Sequence, residues 1–80
     1  MEIWVYNQYT DKREIVPAPE EEILIGRDES AHVPLRSPFI SRRHARIFRA
    51  DGRMFIESLG LNGISVRNEE VPARATVRLE

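Results

Sequence analysis

The feature that most constrains the fold of this chain is a series of short runs of β-branched and aromatic residues, each followed within a few positions by a turn signal. No stretch repeats its apolar residues at the 3.6-residue period of an amphipathic helix. Closely spaced short strands predict an all-β domain, a β-sandwich or a small barrel built from short antiparallel strands. The predicted strands lie at 3–6, 13–16, 23–25, 32–35, 45–49, 54–57, 64–66 and 75–79.

The pair Asp51-Gly52 is the clearest turn signal, because it separates two apolar runs by two residues that accept positive φ. The runs 45–49 and 54–57 are therefore predicted to form a β-hairpin, and a further turn is predicted at 68–70. Apolar residues of the strands supply the predicted core. Its members are Trp4, Ile15, Leu24, Ile25, Val33, Leu35, Ala45, Ile47, Phe55, Ile56, Val66, Val77 and Leu79.

Length and composition limit the classes of function open to the chain. Eighty residues correspond to one small domain, predicted to span 1–80, in which little room is left for a deep catalytic cavity. A hydrophobic content of 41% and a charged content of 31% are typical of a globular protein. No apolar run approaches the ~18 residues of a membrane span, and no secretory signal is visible, so we expect a cytoplasmic protein.

Several kinds of reactive site are excluded by the residue types present. Cysteine is absent, which excludes disulfides, iron–sulfur clusters, cysteine zinc sites and thiol catalysis. The two histidines, His32 and His44, lie twelve positions apart and are a poor basis for a metal site. No carboxylate pair is spaced as an acid–base couple, and no Gly-x-Ser-x-Gly elbow is present. We therefore expect neither an enzyme nor a bound metal or cofactor.

The formal net charge of −1 is unevenly distributed along the chain. Residues 1–40 hold four Lys or Arg against eight Asp or Glu, whereas residues 41–80 hold eight against five. Residues 36–53 contain six arginines and a single acidic residue, Asp51. Because the arginine fork matches phosphate and carboxylate groups, this stretch indicates either an anion site or a solvated basic face.

Three short motifs carry more information together than each does alone. Gly26-Arg27 ends a predicted strand, residues 41–44 are Ser-Arg-Arg-His, and Asn62-Gly63 lies in a loop between predicted strands. In this order and spacing they resemble the motif of the forkhead-associated (FHA) domain family. The stretches 25–35 and 40–47 resemble bacterial members, and the likeness extends over about residues 3–79.

The resemblance implies an FHA-like β-sandwich, eleven-stranded in that family, whose loops bind phosphothreonine peptides in Ser/Thr kinase signalling. Guanidinium and hydroxyl donors suit a phosphate that carries about −1.5 to −2 charges, and an asparagine amide can hold peptide main chain. The implied phosphopeptide contacts are Arg27, Ser41, Arg42 and Asn62. The implied scaffold residues are Gly26, His44 and Gly63.

Three departures from the family pattern concern the site and the last strands. Leu61 stands where the family usually has Ser or Thr, and Ile64 where it usually has Thr. The family continues beyond a segment like 73–79 with a Gly-Asp turn and two more strands. We therefore expect a sandwich that is C-terminally truncated or completed by a partner, within a fragment or N-terminal module of a larger bacterial protein.

Three functions remain open from the sequence. The first is binding of a phosphothreonine-containing protein or peptide. The second is phospho-independent interaction or assembly with the protein's own chain or a neighbouring subunit, which Leu61, Ile64 and the missing strands favour. The third, nucleic-acid binding through the 36–53 arginines, is disfavoured by the overall charge and by the scarcity of interleaved aromatic residues. No membrane partner is expected.

Overall fold

The computed structural model describes residues 2–8, 10–17 and 21–79, and the side chains of Glu2 and Pro17 lie outside the description. The described residues form strands and turns without a helix, so none of them belongs to a helix that could span a membrane. The all-β prediction is confirmed. The strands are β1 (Glu2–Asn7), β2 (Lys12–Pro17), β3 (Glu22–Gly26), β4 (Val33–Pro34), β5 (Ala45–Ala50), β6 (Arg53–Ser58), β7 (Ile64–Val66), β8 (Glu69–Val71) and β9 (Thr76–Arg78).

The largest sheet has five strands in the order β4-β3-β5-β6-β9. Only the β3–β4 pair in it is parallel, and the other neighbours are antiparallel. The β5–β6 hairpin turns at Asp51 and Gly52, whose φ angles of 51° and 74° are those of the predicted type I′ turn. This turn sets the register that pairs Ile47 with Ile56 on one face and Phe48 with Phe55 on the other.

Two separate hairpins, β1–β2 and β7–β8, complete the described part of the fold. The strand β8 was not predicted, because the segment 68–70 was assigned to a turn. The turn lies instead at Arg67 and Asn68, which both have positive φ, 51° and 66°, so that pairing resumes at Glu69. Asn68 is a common residue in this left-handed region but arginine is not, so the sequence does not show that the turn begins at Arg67.

The apolar core joins the inner face of the five-stranded sheet to the two hairpins. Ile47 and Met54 are its most buried large side chains, with 0% and 1% of their surface exposed. Partly buried apolar residues from β1 and β7, Ile3, Val5 and Ile64, pack against this cluster. The buried members are Val16, Ile23, Ile25, Val33, Ala45, Ile47 and Met54.

The core prediction is wrong at Trp4 and Ile15, which are 63% and 53% exposed. They are direct register partners and lie on the outer face of the β1–β2 hairpin. The neighbouring pair, Ile3 and Val16, takes the inner face. Four consecutive apolar residues in β1 make either face a possible core face by sequence, so the pattern alone does not set the orientation.

A large open cleft interrupts the layer formed by the two hairpins. It encloses about 1020 Å³, and its floor includes Ile25, Ile47 and Ile56 of the five-stranded sheet. All of 3–8, along β1, and all of β7 line it, whereas no residue of β2 does. The edges of β1 and β7 that carry no partner strand among the described residues therefore border a cleft with an apolar floor.

Candidate functional site

The site is built at the end of β3, where the chain segment 41–44 crosses over Gly26. The backbone N–H of Arg27 donates to the carbonyl of Ser41 at 3.0 Å, and that of Asp28 donates to the carbonyl of Arg42 at 3.2 Å. A side chain on Gly26 would overlap that same Arg42 carbonyl, so only glycine permits this approach. These contacts hold the two motif segments side by side.

As a result, Arg27 and Arg42 line one shallow groove of about 390 Å³, which they share with Asp28 and Glu29. Both arginine side chains are exposed. Asp28 accepts hydrogen bonds from the N–H and hydroxyl of Ser30, each at 2.9 Å, and these bonds hold the pKa of its carboxyl below the usual value. The groove is therefore lined by two arginines and two acidic residues.

The buried ring of His44 connects two loops of the site. Its Nδ1 accepts a hydrogen bond from the N–H of Ser41 at 3.1 Å, so the ring proton must lie on Nε2. Nε2 lies 3.0 Å from the carbonyl of Gly63 and donates to it. Burial lowers the pKa of His44 below 6.5, against a smaller opposing effect of the Gly63 carbonyl, and this favours the neutral ring.

Gly60 completes this arrangement and was not identified from the sequence. A Cβ at Gly60 would lie 2.5 Å from His44 Nδ1 and 2.8 Å from Ser41 Oγ. The Ser41 and His44 side chains therefore converge on the Gly60 backbone, rather than pointing to opposite faces as their three-residue spacing near a strand start predicts. The only sequence signal was a glycine two residues before Asn62, which any loop can contain.

Asn62 connects the third loop of the site. Its Nδ2 donates to the carbonyl of Phe39 at 2.7 Å, so the exposed amide fixes the segment 37–40 to the β6–β7 loop. Asn62 is not the left-handed residue of its turn, because the positive φ of 67° belongs to Gly63. Beside it, Leu61 is 92% exposed and offers no hydrogen-bonding side chain.

The structure thus brings the seven motif residues into one region, in two connected parts. Arg27 and Arg42 share the groove, while Ser41, His44 and Gly63 are joined through the histidine ring. Their roles toward a ligand stay predictions. Among residues 2–8, 10–17 and 21–79, no group of three or more His, Asp or Glu is placed to hold a metal ion.

Among the arginines of the 36–53 stretch, Arg46 is engaged in contacts within the protein. Arg46 projects from the outer face of the five-stranded sheet, donating to Glu57 at 2.6 Å and to Glu22 at 3.2 Å. Its guanidinium also lies 4.1 Å from the ring centre of Phe48. The two carboxylates raise the pKa of Arg46 and neutralise its charge locally. Arg46 is therefore a structural arginine, whereas Arg42 is exposed in the groove and available to a ligand.

Comparison with known proteins was made for both sequence and structure. A sequence model of the FHA domain matches residues 23–80. A comparison with curated protein sequences gives no match.

Several solved structures share the fold. The FHA-1 structure of Mycobacterium tuberculosis Rv1747 is 28% identical, with a TM-score of 0.66 over 96% of this chain and 72% of that one. M. tuberculosis EmbR in complex with a low-affinity phosphopeptide is 25% identical, with a TM-score of 0.69 over 96% of this chain and 20% of EmbR. The N-terminal FHA domain of S. cerevisiae Rad53p in complex with a phosphothreonine peptide is 16% identical, with a TM-score of 0.74 over 99% and 73%.

Proposed function

The chain belongs to the FHA domain family, whose members are non-catalytic binding modules, and we propose that it binds phosphothreonine-containing proteins or peptides. The observation that carries the proposal is the shared groove of Arg27 and Arg42, aligned by backbone bonds to the Ser41 segment. Two guanidinium groups together with the Ser41 hydroxyl form a donor set suited to a phosphate dianion, while the Ser41 N–H is already bonded to His44 Nδ1. FHA domains of other proteins typically bind such peptides.

Each group of the site has a separate part in this proposal. Arg27 and Arg42 pair with phosphate oxygens, and Ser41 donates a further hydrogen bond to them. Asn62 turns its amide toward the peptide main chain while the Phe39 carbonyl fixes its position. His44 and Gly63 keep the two loops at a constant separation. Since the loop backbone and the Asn62 amide are already held by hydrogen bonds, binding must order only the exposed Arg27 and Arg42 side chains in addition.

The strength of binding follows from the number of charge-assisted contacts. Each such hydrogen bond contributes about 1.5–3 kcal/mol, whereas association itself costs at least ~4 kcal/mol. Asp28 and Glu29 in the same groove reduce the attraction for phosphate. We therefore expect micromolar dissociation constants, near the −8.2 kcal/mol that corresponds to about 1 μM.

The setting of this function is also part of the proposal. We place residues 1–80 as one FHA domain of a bacterial protein that acts in Ser/Thr kinase signalling. A cytoplasmic location follows from that role, since kinases form phosphothreonine where ATP is available. The resemblance of segments 25–35 and 40–47 to bacterial members supports the bacterial assignment.

The experiment that tests the function uses two degenerate nonapeptide libraries with a central phosphothreonine or a central threonine. Fluorescence anisotropy should show binding of the phosphorylated library alone. Arg27→Ala should weaken that binding at least tenfold, whereas Arg53→Ala should not, because Arg53 begins β6 beside the hairpin turn, away from the groove. Equal binding of both libraries, or an unchanged affinity in Arg27→Ala, would refute the proposal.

A second candidate, phospho-independent assembly, is favoured by the cleft between β1 and β7. Its apolar floor and two bordering strand edges suit an added strand, in which backbone hydrogen bonds supply affinity and alternate apolar side chains face inward. For this candidate the occupant is an extended segment of a partner protein with alternating apolar and polar residues.

Hydrogen exchange of β1 and β7 amides tests this second candidate. An unphosphorylated probe peptide of alternating valine and threonine should slow exchange in both strands. Val66→Lys, which puts a charge into the cleft at the far end of β7 from Gly63, should abolish the effect without altering phosphopeptide binding. Concentration-dependent protection without the probe would identify a second copy as the occupant instead. Protection without the probe at every concentration would mean that the cleft closes within one chain. Each of these two results would contradict the proposal that a segment of a partner protein occupies the cleft.

A further inference from the structure

The groove of Arg27 and Arg42 is also lined by two acidic residues, which have no part in phosphate binding. Of the four residues that line it, two are cationic and two are anionic. A phosphate placed against Arg27 and Arg42 brings about −1.5 to −2 further charges next to Asp28 and Glu29. The occupied groove would then be strongly negative unless the ligand also supplied a positive charge.

The two carboxylates differ in their availability to a ligand. Asp28 is held in the loop by the N–H and hydroxyl of Ser30, both bonded to its Oδ1. Glu29 is exposed and has no hydrogen bond or ion pair with the described residues. Its neighbours Arg27 and Arg42 are turned to the same groove but are not bonded to it. Glu29 is therefore the carboxylate that can move toward a bound peptide.

We propose that Glu29 is a specificity-determining residue that selects phosphothreonine peptides carrying a lysine or arginine beside the phosphorylated residue. The inference rests on the proposed function and adds the chemistry of the preferred target. A cationic side chain next to the phosphothreonine pairs with Glu29, and the phosphate pairs with the arginines. Each charge of the peptide therefore contacts a charge of opposite sign on the protein. An acidic residue at the same position meets Glu29 and is disfavoured.

The size of the preference is limited by exposure. Charged pairs at a solvent-accessible rim contribute modestly and are screened by salt. We expect lysine to be preferred to glutamate about three- to tenfold at one flanking position in 50 mM salt, and less in 500 mM salt. A preference that did not change with salt would indicate packing of the lysine stem rather than charge recognition, and would contradict the proposal.

The test uses phosphothreonine nonapeptide libraries in which a single position, from three before to three after the phosphothreonine, is fixed as lysine or glutamate. Wild-type protein should favour lysine at one position or more. Glu29→Gln should remove that preference, and Glu29→Lys should reverse it. Glu69→Lys is the matched control, because it makes the same charge change in the remote β7–β8 hairpin and should leave the preference intact.

The outcomes separate this inference from the proposed function. If the phosphorylated libraries bind better than threonine libraries but lysine and glutamate bind equally, the role of Glu29 is refuted and phosphothreonine binding stands. If Glu29→Lys and Glu69→Lys change the preference equally, a general effect of net charge replaces the proposed contact. If phosphorylated and unphosphorylated libraries bind equally, the proposed function falls, and this inference falls with it.

Discussion

Nε2 of His44 lies 3.0 Å from the carbonyl oxygen of Gly63, nineteen residues further along the chain, and donates a hydrogen bond to it. Because Nδ1 of the same ring accepts the N–H of Ser41, one neutral imidazole spans two loops. The separation of Ser41 from the Asn62-Gly63 turn is thus set by the width of a five-membered ring. A charged ring would carry a proton on Nδ1 and lose its bond to Ser41.

This arrangement predicts a pH dependence of stability. The pKa of His44 is lowered in the folded state, so the unfolded chain takes up a proton first as the pH falls below about 6.5. Stability should be greatest above that pH and should decline through the lower folded pKa, by at most about 1.4 kcal/mol per pH unit. Urea unfolding between pH 4.5 and 8 measures this decline.

One histidine variant isolates the contribution of His44 to the pH dependence. His44→Gln should be less stable at pH 8, but its stability should vary less between pH 7 and 5. A pH profile unchanged in His44→Gln would show that other groups cause the decline.

A side chain at Gly60 should displace the Ser41 and His44 side chains, which pack against the Gly60 backbone. In Gly60→Ala, the added Cβ meets His44 Nδ1 and Ser41 Oγ at distances shorter than van der Waals contact. We expect a loss of about 1–3 kcal/mol in the free energy of unfolding, with weaker phosphopeptide binding. Gly52→Asn is the control, since nothing lies within 4 Å of its Cβ and asparagine tolerates positive φ. Equal losses in both variants would contradict this account.

The amide of Asn62 should affect binding more than stability. Asn62→Ala removes one exposed hydrogen bond to the Phe39 carbonyl, which costs about 1 kcal/mol of stability or less, but it should weaken phosphopeptide binding about tenfold. Asn62→Asp should be worse, because a carboxylate faces the Phe39 carbonyl and the phosphate. Calorimetry with a selected phosphothreonine peptide measures both variants. Gln8→Ala is the exposed-amide control, and a similar loss there would refute a specific role.

Arg46 should affect stability without affecting the ligand. Its partly exposed contacts with Glu57, Glu22 and Phe48 together contribute about 1 kcal/mol. Arg46→Ala should therefore lower the free energy of unfolding by that amount and leave phosphopeptide affinity within about twofold. Urea unfolding and fluorescence anisotropy provide the two readouts. A large loss of affinity in the stable variant would show that the outer sheet face takes part in binding.

Much of the fold was predictable because local signals agreed with the tertiary structure. The β-branched runs became strands, and Asp51-Gly52 formed the expected turn, since both residues tolerate positive φ. The predictions failed where the local signal was ambiguous. In β1, Ile3 and Trp4 are both apolar, and packing alone assigns Ile3 to the core. At Arg67 the turn is formed by a residue that gives no turn signal.

The site was predictable as a set of residues but not as an arrangement. The motif spacing identified Arg27, Ser41 and Asn62, and the structure places them in adjacent loops. The position of Gly60 beneath Ser41 is a long-range contact that spacing does not encode. The carboxylate of Glu29 in the groove was not identified either, because a single exposed glutamate in a charged loop has no distinctive pattern.

The most direct test of phosphothreonine binding is an amide NMR titration of the 80-residue chain with two peptides that differ only in phosphorylation of one threonine. The account predicts shifts from the phosphorylated peptide alone, concentrated at Arg27, Ser41, Arg42 and Asn62. Shifts confined to β1 and β7 with either peptide, or none near these four residues, would contradict it.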